Sequence, residues 1–284
     1  MLLRWFHSLL WLLLLTLSGN VLAQPLTYSR ESDREPFSDY VKELVTSALR
    51  VQGLNGQLRP SEELFSQQRA LTELRLGRNL DLYWTMTSQQ REQGLQVLRI
   101  PLLKGMLGQR LLVIRKGDQR FDRIETESQL QGFSFGQGHD WPDADILESG
   151  GLTVVRSSNY IGIMEMLARQ RFDAFPLAIN EIWQELDKRP YLDVEVCDGV
   201  LLSYLAPVFI FLHPSQQQLG RQLEAGLIIL IDSGEFDRIF DRHFGAYTRQ
   251  AKLADKSVFR FDNPSMSSET QRAMRRYAPL LLLH

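Results

Sequence analysis

The amino-acid sequence predicts an α/β fold that is divided into two lobes. Short apolar strands alternate with amphipathic helices along most of the 284 residues, as in sheets that are covered by helices on both faces. Two longer apolar strands, at 110–115 and 200–212, separate an outer part of the chain from a middle part. A middle lobe that is joined to an outer lobe by two crossing strands forms a hinged clamshell. We therefore expect a first lobe from residues 24–108 and 206–284, and a second lobe from residues 109–205.

The first 23 residues have the features of a secretory signal peptide. Arg4 precedes an apolar run at 9–17, and the segment 21–23 offers small or modest side chains at the positions that a signal peptidase reads. The run is shorter than the roughly 18–20 apolar residues that a membrane-spanning helix needs, which favours cleavage after Ala23 over retention as an anchor. No lipid anchor is expected, because Gln24 and not a cysteine follows the cleavage position. The mature protein should be periplasmic and free.

The outer part of the chain begins with a strand and a helix and then repeats this order. Apolar residues at 41, 44, 45, 48 and 49 recur at helical spacing, and Gly53 marks the end of that helix. The predicted elements are a strand at 26–29, helices at 38–53 and 63–76, a strand at 80–84, a short helix at 88–93 and a strand at 97–100.

The middle part continues with the same alternation of strands and helices. After the long strand at 110–115, the predicted elements are strands at 133–135, 152–155, 172–177 and 194–196, and helices at 142–148, 160–169 and 180–186. Beyond His213 the chain is predicted to be helical, and the tail after Asn263 shows little periodicity.

Composition excludes several classes of function. The formal charge of −2 gives no basic field for nucleic acid. Cys197 is the only cysteine, so no internal disulfide is possible, and its alternating apolar neighbours indicate a buried structural thiol. The histidines after residue 23 lack paired ligand spacing, and we expect neither a metal site nor a cofactor.

Four stretches resemble the polar amino acid type of bacterial periplasmic solute-binding proteins (family 3, type 2 periplasmic-binding fold), in a divergent branch. They occur in that family's order and cover nearly all of residues 25–247. The stretches are Gly77-Arg-Asn-Leu-Asp81 with the following Thr85, Thr87 and Arg91, then Pro101-Leu-Leu-Lys-Gly105, Arg171-Phe-Asp-Ala174 and Gly234-Glu-Phe236. The resemblance implies a type 2 clamshell with two crossing strands and a ligand held between the lobes.

In the first lobe, the resemblance implies that Arg91 binds the carboxylate of the ligand. A guanidinium presents two parallel donors to a carboxylate, although Arg91 could also be a surface arginine on a short helix. Thr85 and Thr87 could add hydroxyl contacts or simply cap the next helix.

An aromatic or polar wall is expected after the first strand, at Tyr28 and Ser29, where a plain exposed loop is the alternative. Trp84 could stack on the ligand or belong to the core. These residues complete the part of the site that the first lobe is expected to supply.

In the second lobe, Gly136-Gln137-Gly138 precedes Trp141 and a predicted helix. The two glycines would let backbone N–H groups approach a ligand, and Trp141 could stack on it or pack in the core. The third glycine of a dinucleotide fingerprint is absent.

The sequence departs from the family near Ala178, where amino-acid binders place an acidic residue for the ligand's ammonium group. Asn180 and Glu181 come late and are expected to cap the next helix. A free α-amino acid is therefore a doubtful ligand, and a small polar, anionic solute is favoured.

These observations predict a monomeric solute-binding protein that serves ABC-type import or sensing, together with an inner-membrane permease or a sensor receptor. An interaction protein that kept the fold but lost the ligand is the main alternative. A cleft enzyme, with Glu31, Asp140 and Glu181 as acid–base groups, is a lesser one. No Ser-His-Asp order, zinc motif or P-loop is present, so no catalytic residue is expected.

Overall fold

Two mixed sheets, each covered by helices, form the two parts of the fold. The computed structural model describes residues 25–30 and 35–282, so the predicted signal peptide at 1–23 and Glu31 lie outside the described residues. The strands are β1 (Leu26–Arg30), β2 (Leu58–Leu64), β3 (Leu82–Met86), β4 (Gln96–Leu98), β5 (Gln109–Arg115), β6 (Ser134–Gly138), β7 (Thr153–Ser157), β8 (Phe175–Ala178), β9 (Val194–Ser203), β10 (Val208–Leu212) and β11 (Ser257–Arg260).

The helices cover these sheets and connect most of the strands. They are α1 (Glu35–Val51), α2 (Gln67–Arg75), α3 (Gln89–Glu92), α4 (Glu127–Leu130), α5 (Pro142–Ser149), α6 (Tyr160–Ala168), α7 (Ile182–Asp187), α8 (Gln217–Asp232), α9 (Glu235–Gln250) and α10 (Ser268–Arg276). Among the described residues, none of these helices is long and apolar enough to cross a bilayer. The predicted α/β class is confirmed.

The first sheet has the strand order β2-β1-β3-β10-β4. The strands β1, β2 and β3 are parallel, whereas β10 runs antiparallel to both β3 and β4. Helix α1 packs closely on α8, because a Cβ at Gly226 would lie 2.1 Å from the carbonyl oxygen of Ala48. Only glycine allows the two helix backbones to approach this closely.

The second sheet has the order β11-β9-β5-β8, and the parallel pair β6-β7 continues it. A bridge between Phe135 and Ala174 links β6 to the segment that leads into β8. Asp173 supports this junction, because its carboxylate accepts hydrogen bonds from the backbone and the hydroxyl of Ser134.

Two chain segments cross between the sheets, one from β4 to β5 and one from β9 to β10. They touch at Gly108, whose carbonyl oxygen accepts a hydrogen bond of 3.1 Å from the backbone N–H of Tyr204. A Cβ at Gly108 would lie 1.8 Å from the carbonyl oxygen of Tyr204. Glycine is therefore required where the two segments meet.

Three expectations about elements are corrected. The apolar run 200–212 is not one strand, since β9 and β10 lie in different sheets and the segment between them contains Pro207, which has no N–H to donate. The predicted helix at 63–76 starts later, because residues 58–64 form the edge strand β2, whose mostly exposed side chains give no apolar alternation. Within the segment 206–284, which was predicted for the first lobe, β11 joins the second sheet.

Candidate ligand site between the lobes

Arg91 lies at the boundary between the two lobes, on the short helix α3. Its side chain is buried, with 5% of the residue exposed. Within the first lobe, Nη1 donates to the hydroxyl of Thr85 at 3.1 Å and to the carbonyl of Met86 at 2.8 Å, and Nη2 donates to Oε1 of Gln67 at 2.8 Å. Nη2 also reaches the second lobe, where it donates to the carbonyl oxygen of Asp140 at 2.9 Å. The guanidinium therefore bridges the cleft.

Glu92, the next residue on α3, holds this helix in place. Its carboxylate accepts hydrogen bonds from the hydroxyls of Thr87, Ser267 and Thr270 and from the guanidinium of Arg99. Burial alone would raise the pKa of Glu92, but these hydrogen bonds outweigh it and hold the pKa below its ordinary value. Thr87 is fully buried, and its hydroxyl donates to Glu92.

The predicted aromatic wall lies inside the first lobe. The rings of Tyr28 and Trp84 stack with centroids 5.1 Å apart, and both residues are buried. Trp84 also lines the cleft. Ser29 is buried, and its hydroxyl has no hydrogen-bond partner among the described residues. Of Tyr28, Ser29 and Trp84, it is therefore Trp84 that both packs in the core and lines the cleft.

In the second lobe, aromatic packing explains the two glycines. A Cβ at Gly136 would lie 2.3 Å from the ring of Phe172, and a Cβ at Gly138 would lie 2.5 Å from the ring of Trp141. Gln137 is buried between them, and both polar atoms of its amide lack a partner among the described residues. Trp141 lines the cleft.

Sequence reasoning missed a buried ionic cluster on the second-lobe side of the cleft. Arg110 donates to Asp143 and to the hydroxyl of Tyr204, and its Nη1 lies 3.7 Å from a carboxylate oxygen of Glu181. Burial disfavours the charged guanidinium, but Asp143, Tyr204 and Glu181 reverse that effect and raise the pKa of Arg110. The available signal was the arginine that directly precedes the four apolar residues 111–114 of strand β5.

The space in the cleft between Trp84 and Trp141 is small. The cavity measures about 30 Å³, which is room for about two water molecules. Its walls include Trp84, Thr85, Arg110, Trp141, Asp143 and Glu181. At its mouth, an open polar groove of about 480 Å³ runs past Arg91, His139, Asp140 and Arg156.

Solved structures that are similar in fold to this chain include periplasmic binding proteins. An ancestral arginine-binding protein bound to arginine superposes with a TM-score of 0.58 at 16% sequence identity, covering 78% of this chain and 98% of that one. The chain has the two-lobed fold of the periplasmic amino-acid-binding proteins. The predicted type 2 clamshell is therefore confirmed.

Two other solved structures are similar in fold to this chain, one from a transport system and one from a sensor. One is an arginine third transport system periplasmic binding protein from Legionella pneumophila, with a TM-score of 0.58, 16% identity, and coverage of 78% of this chain and 100% of that one. The other is a histidine kinase sensor domain with similarity to periplasmic binding proteins, with a TM-score of 0.54, 14% identity, and coverage of 78% and 96%. No family model matches the sequence. No curated protein matches it either.

The cleft contains carboxylates, but not at Ala178, the position where the resembling amino-acid binders have an acidic residue. Ala178 is buried at the end of β8. Asp143 and Glu181 line the cavity instead, and both lie beside Arg110. The second lobe therefore presents two negative groups to the cleft together with one positive group.

Proposed function

We propose that the protein is a periplasmic solute-binding protein that captures a small polar solute with a carboxylate group between its lobes. It then serves import through an inner-membrane permease, or sensing through a membrane receptor. The observation that carries the proposal is the position of Arg91, which is buried at the lobe boundary and donates to both lobes.

Nη2 of Arg91 donates to the amide oxygen of Gln67 in the first lobe and to the carbonyl oxygen of Asp140 across the cleft. A ligand carboxylate that took the place of the Asp140 carbonyl and the Gln67 amide would form charge-assisted hydrogen bonds, which are roughly twice as strong as neutral ones. The small cavity requires the lobes to separate before a solute enters. Entry therefore exchanges these two hydrogen bonds, one of which crosses between the lobes, for two charge-assisted bonds to the ligand.

A thermal-shift screen of the mature protein against amino acids, dicarboxylates and sugars tests this function. A ligand at a hundredfold excess over its Kd should stabilise the protein by about 2.7 kcal/mol. Arg91→Ala should weaken a carboxylate hit about tenfold to a hundredfold, since hydrogen bonds to charged groups contribute about 1.5–3 kcal/mol each. Arg78→Ala is the matched control, because Arg78 is an exposed arginine of the same lobe.

Equal affinity of the hit for wild type and Arg91→Ala would rule out the carboxylate contact. If only neutral sugars bind, the protein is still a solute-binding protein, but the proposal of an anionic ligand is wrong.

A protein that keeps its lobes closed and acts by contacting another protein is the second candidate. It is favoured by one observation, the 30 Å³ cavity between Trp84 and Trp141. In that case no solute in the screen shifts the melting temperature, and small-angle X-ray scattering gives the same radius of gyration with and without every solute.

A further inference from the structure

The chain after α9 leaves its helix and adds a strand to the second lobe. Strand β11 pairs in parallel with β9, from Ser257 opposite Val200 to Arg260 opposite Ser203. The backbone N–H of Phe261 extends this pairing with a hydrogen bond of 2.9 Å to the carbonyl of Ser203. The segment is therefore anchored to the second sheet.

The same segment then returns to the first lobe. The amide of Asn263 donates to the carbonyl of Leu205 on the second crossing at 2.7 Å. In the first lobe, the backbone N–H of Gln89 donates to the carbonyl of Ser265 at 2.7 Å. Met274 of α10 is buried in a cluster with side chains of α2, β3 and β10. Near the end of the described chain, the N–H of Leu282 donates to the carbonyl of Lys104.

The returning segment also contacts the helix that carries Arg91. The hydroxyls of Ser267 and Thr270 donate to the two carboxylate oxygens of Glu92 at 2.7 and 2.5 Å. All three residues are buried. The first turn of α10 therefore fixes the orientation of α3.

We propose that residues 257–270 form a strap, a further connection between the lobes that limits their opening and positions Arg91 through Glu92. The second part of this inference rests on the proposed function, whereas the restraint on the lobes does not.

The strap runs from the hinge to the mouth of the cleft. Asn263 contacts Leu205 at the second crossing, Ser265 lines the mouth of the cleft, and Ser267 contacts Glu92 of α3. Rotation of the lobes must therefore displace the strap between its attachments to β9 and to α3.

The restraint can be measured on the full mature chain without any ligand. Spin labels on Gln68→Cys and Ser149→Cys, both at exposed positions on opposite lobes, report the interlobe distance in a Cys197→Ala background. We expect one narrow distance distribution for the parent protein. The double variant Ser267→Ala, Thr270→Val should add a population at longer distances.

Hydrogen exchange supplies the second measurement. The α3 amides should exchange at least tenfold faster in the double variant, while those of β9 and β10 stay unchanged, which separates local release from general loss of stability. Ser268→Ala is the matched control on the same helix, because its hydroxyl contacts only the neighbouring exposed Glu269 in the described contacts. Thr270→Ser retains the hydroxyl and should behave like the parent.

Unchanged distances and unchanged α3 exchange in the double variant would overturn the strap. If that variant fails to fold, Asn263→Ala, which removes the contact with Leu205, takes its place under the same criteria. Since no ligand is used, failure of the strap and failure of solute binding give separate results.

Discussion

At the residue scale, the cleft contains two buried arginines with different partners. Arg110 is surrounded by Asp143 and Glu181, and its charge is balanced inside the second lobe. The hydrogen bonds described for Arg91 go to a hydroxyl, an amide and two carbonyl oxygens. Arg110 therefore organises the wall of the cleft within the second lobe, whereas Arg91 connects the two lobes.

Removal of Asp143 should be costly. Asp143→Ala leaves the charge of Arg110 buried beside a more distant partner, and breaking a buried ion pair in this way costs about 3–5 kcal/mol. Urea denaturation should show this loss. Asp145→Ala, which removes an exposed acid of the same helix, should cost less than about 1 kcal/mol. Similar losses for the two variants would contradict a structural role for the Arg110 cluster.

The sequence allowed part of this site to be predicted. Arg91 was expected from the family resemblance and Trp84 from its place at the end of a predicted strand, and both line the cleft. The cluster of Arg110, Asp143 and Tyr204 was missed, because it joins β5, α5 and the second crossing, which are distant in the chain. Contacts between residues that are distant in the chain produce no periodic pattern in the local sequence.

At the element scale, most helices and strands follow from apolar spacing, and the exceptions have a common cause. Strand β2 is an exposed edge, and in the four-residue β11 only Phe259 is fully buried. The first helix and α8 were recognised because each presents a continuous apolar face. Elements that contribute few side chains to the core cannot be recognised by this signal.

The contact between α1 and α8 gives a test at this scale. Gly226→Ala would place a methyl group against the backbone of Ala48, so the helices must separate. Overpacking of this kind costs about 1–3 kcal/mol, which denaturation can measure. Ala225→Ser, at an exposed position of the same helix, should change stability by less than about 0.5 kcal/mol. An unchanged stability for Gly226→Ala would show that the helices can relax apart without loss.

At the scale of the whole molecule, the strap makes the lobe arrangement sensitive to acid. Glu92 has a pKa below its ordinary value of 4.5 in the folded protein, and Arg99 is the charged group that donates to it. Its contribution to stability is therefore fully present above pH 4.5. That contribution is lost as the pH falls below 4.5 and through the folded pKa.

We expect the free energy of unfolding of wild type to decrease more steeply below pH 4.5 than that of Glu92→Gln. Other carboxylates with lowered pKa values, such as Asp118 and Asp173, affect both proteins equally and cancel in the difference. Denaturation curves between pH 3 and pH 7 provide the comparison. Parallel curves would mean that the ionised Glu92 does not stabilise the fold.

The order of strands in the first sheet has a consequence for how the protein reaches its native state. Strand β10 lies between β3 and β4, yet it follows strands β5 to β9 of the second lobe in the chain. The first sheet cannot close during synthesis until residues 208–212 have emerged, and pairings between such distant segments form slowly. Until then, β3 and β4 both lack the strand that joins them in the native sheet.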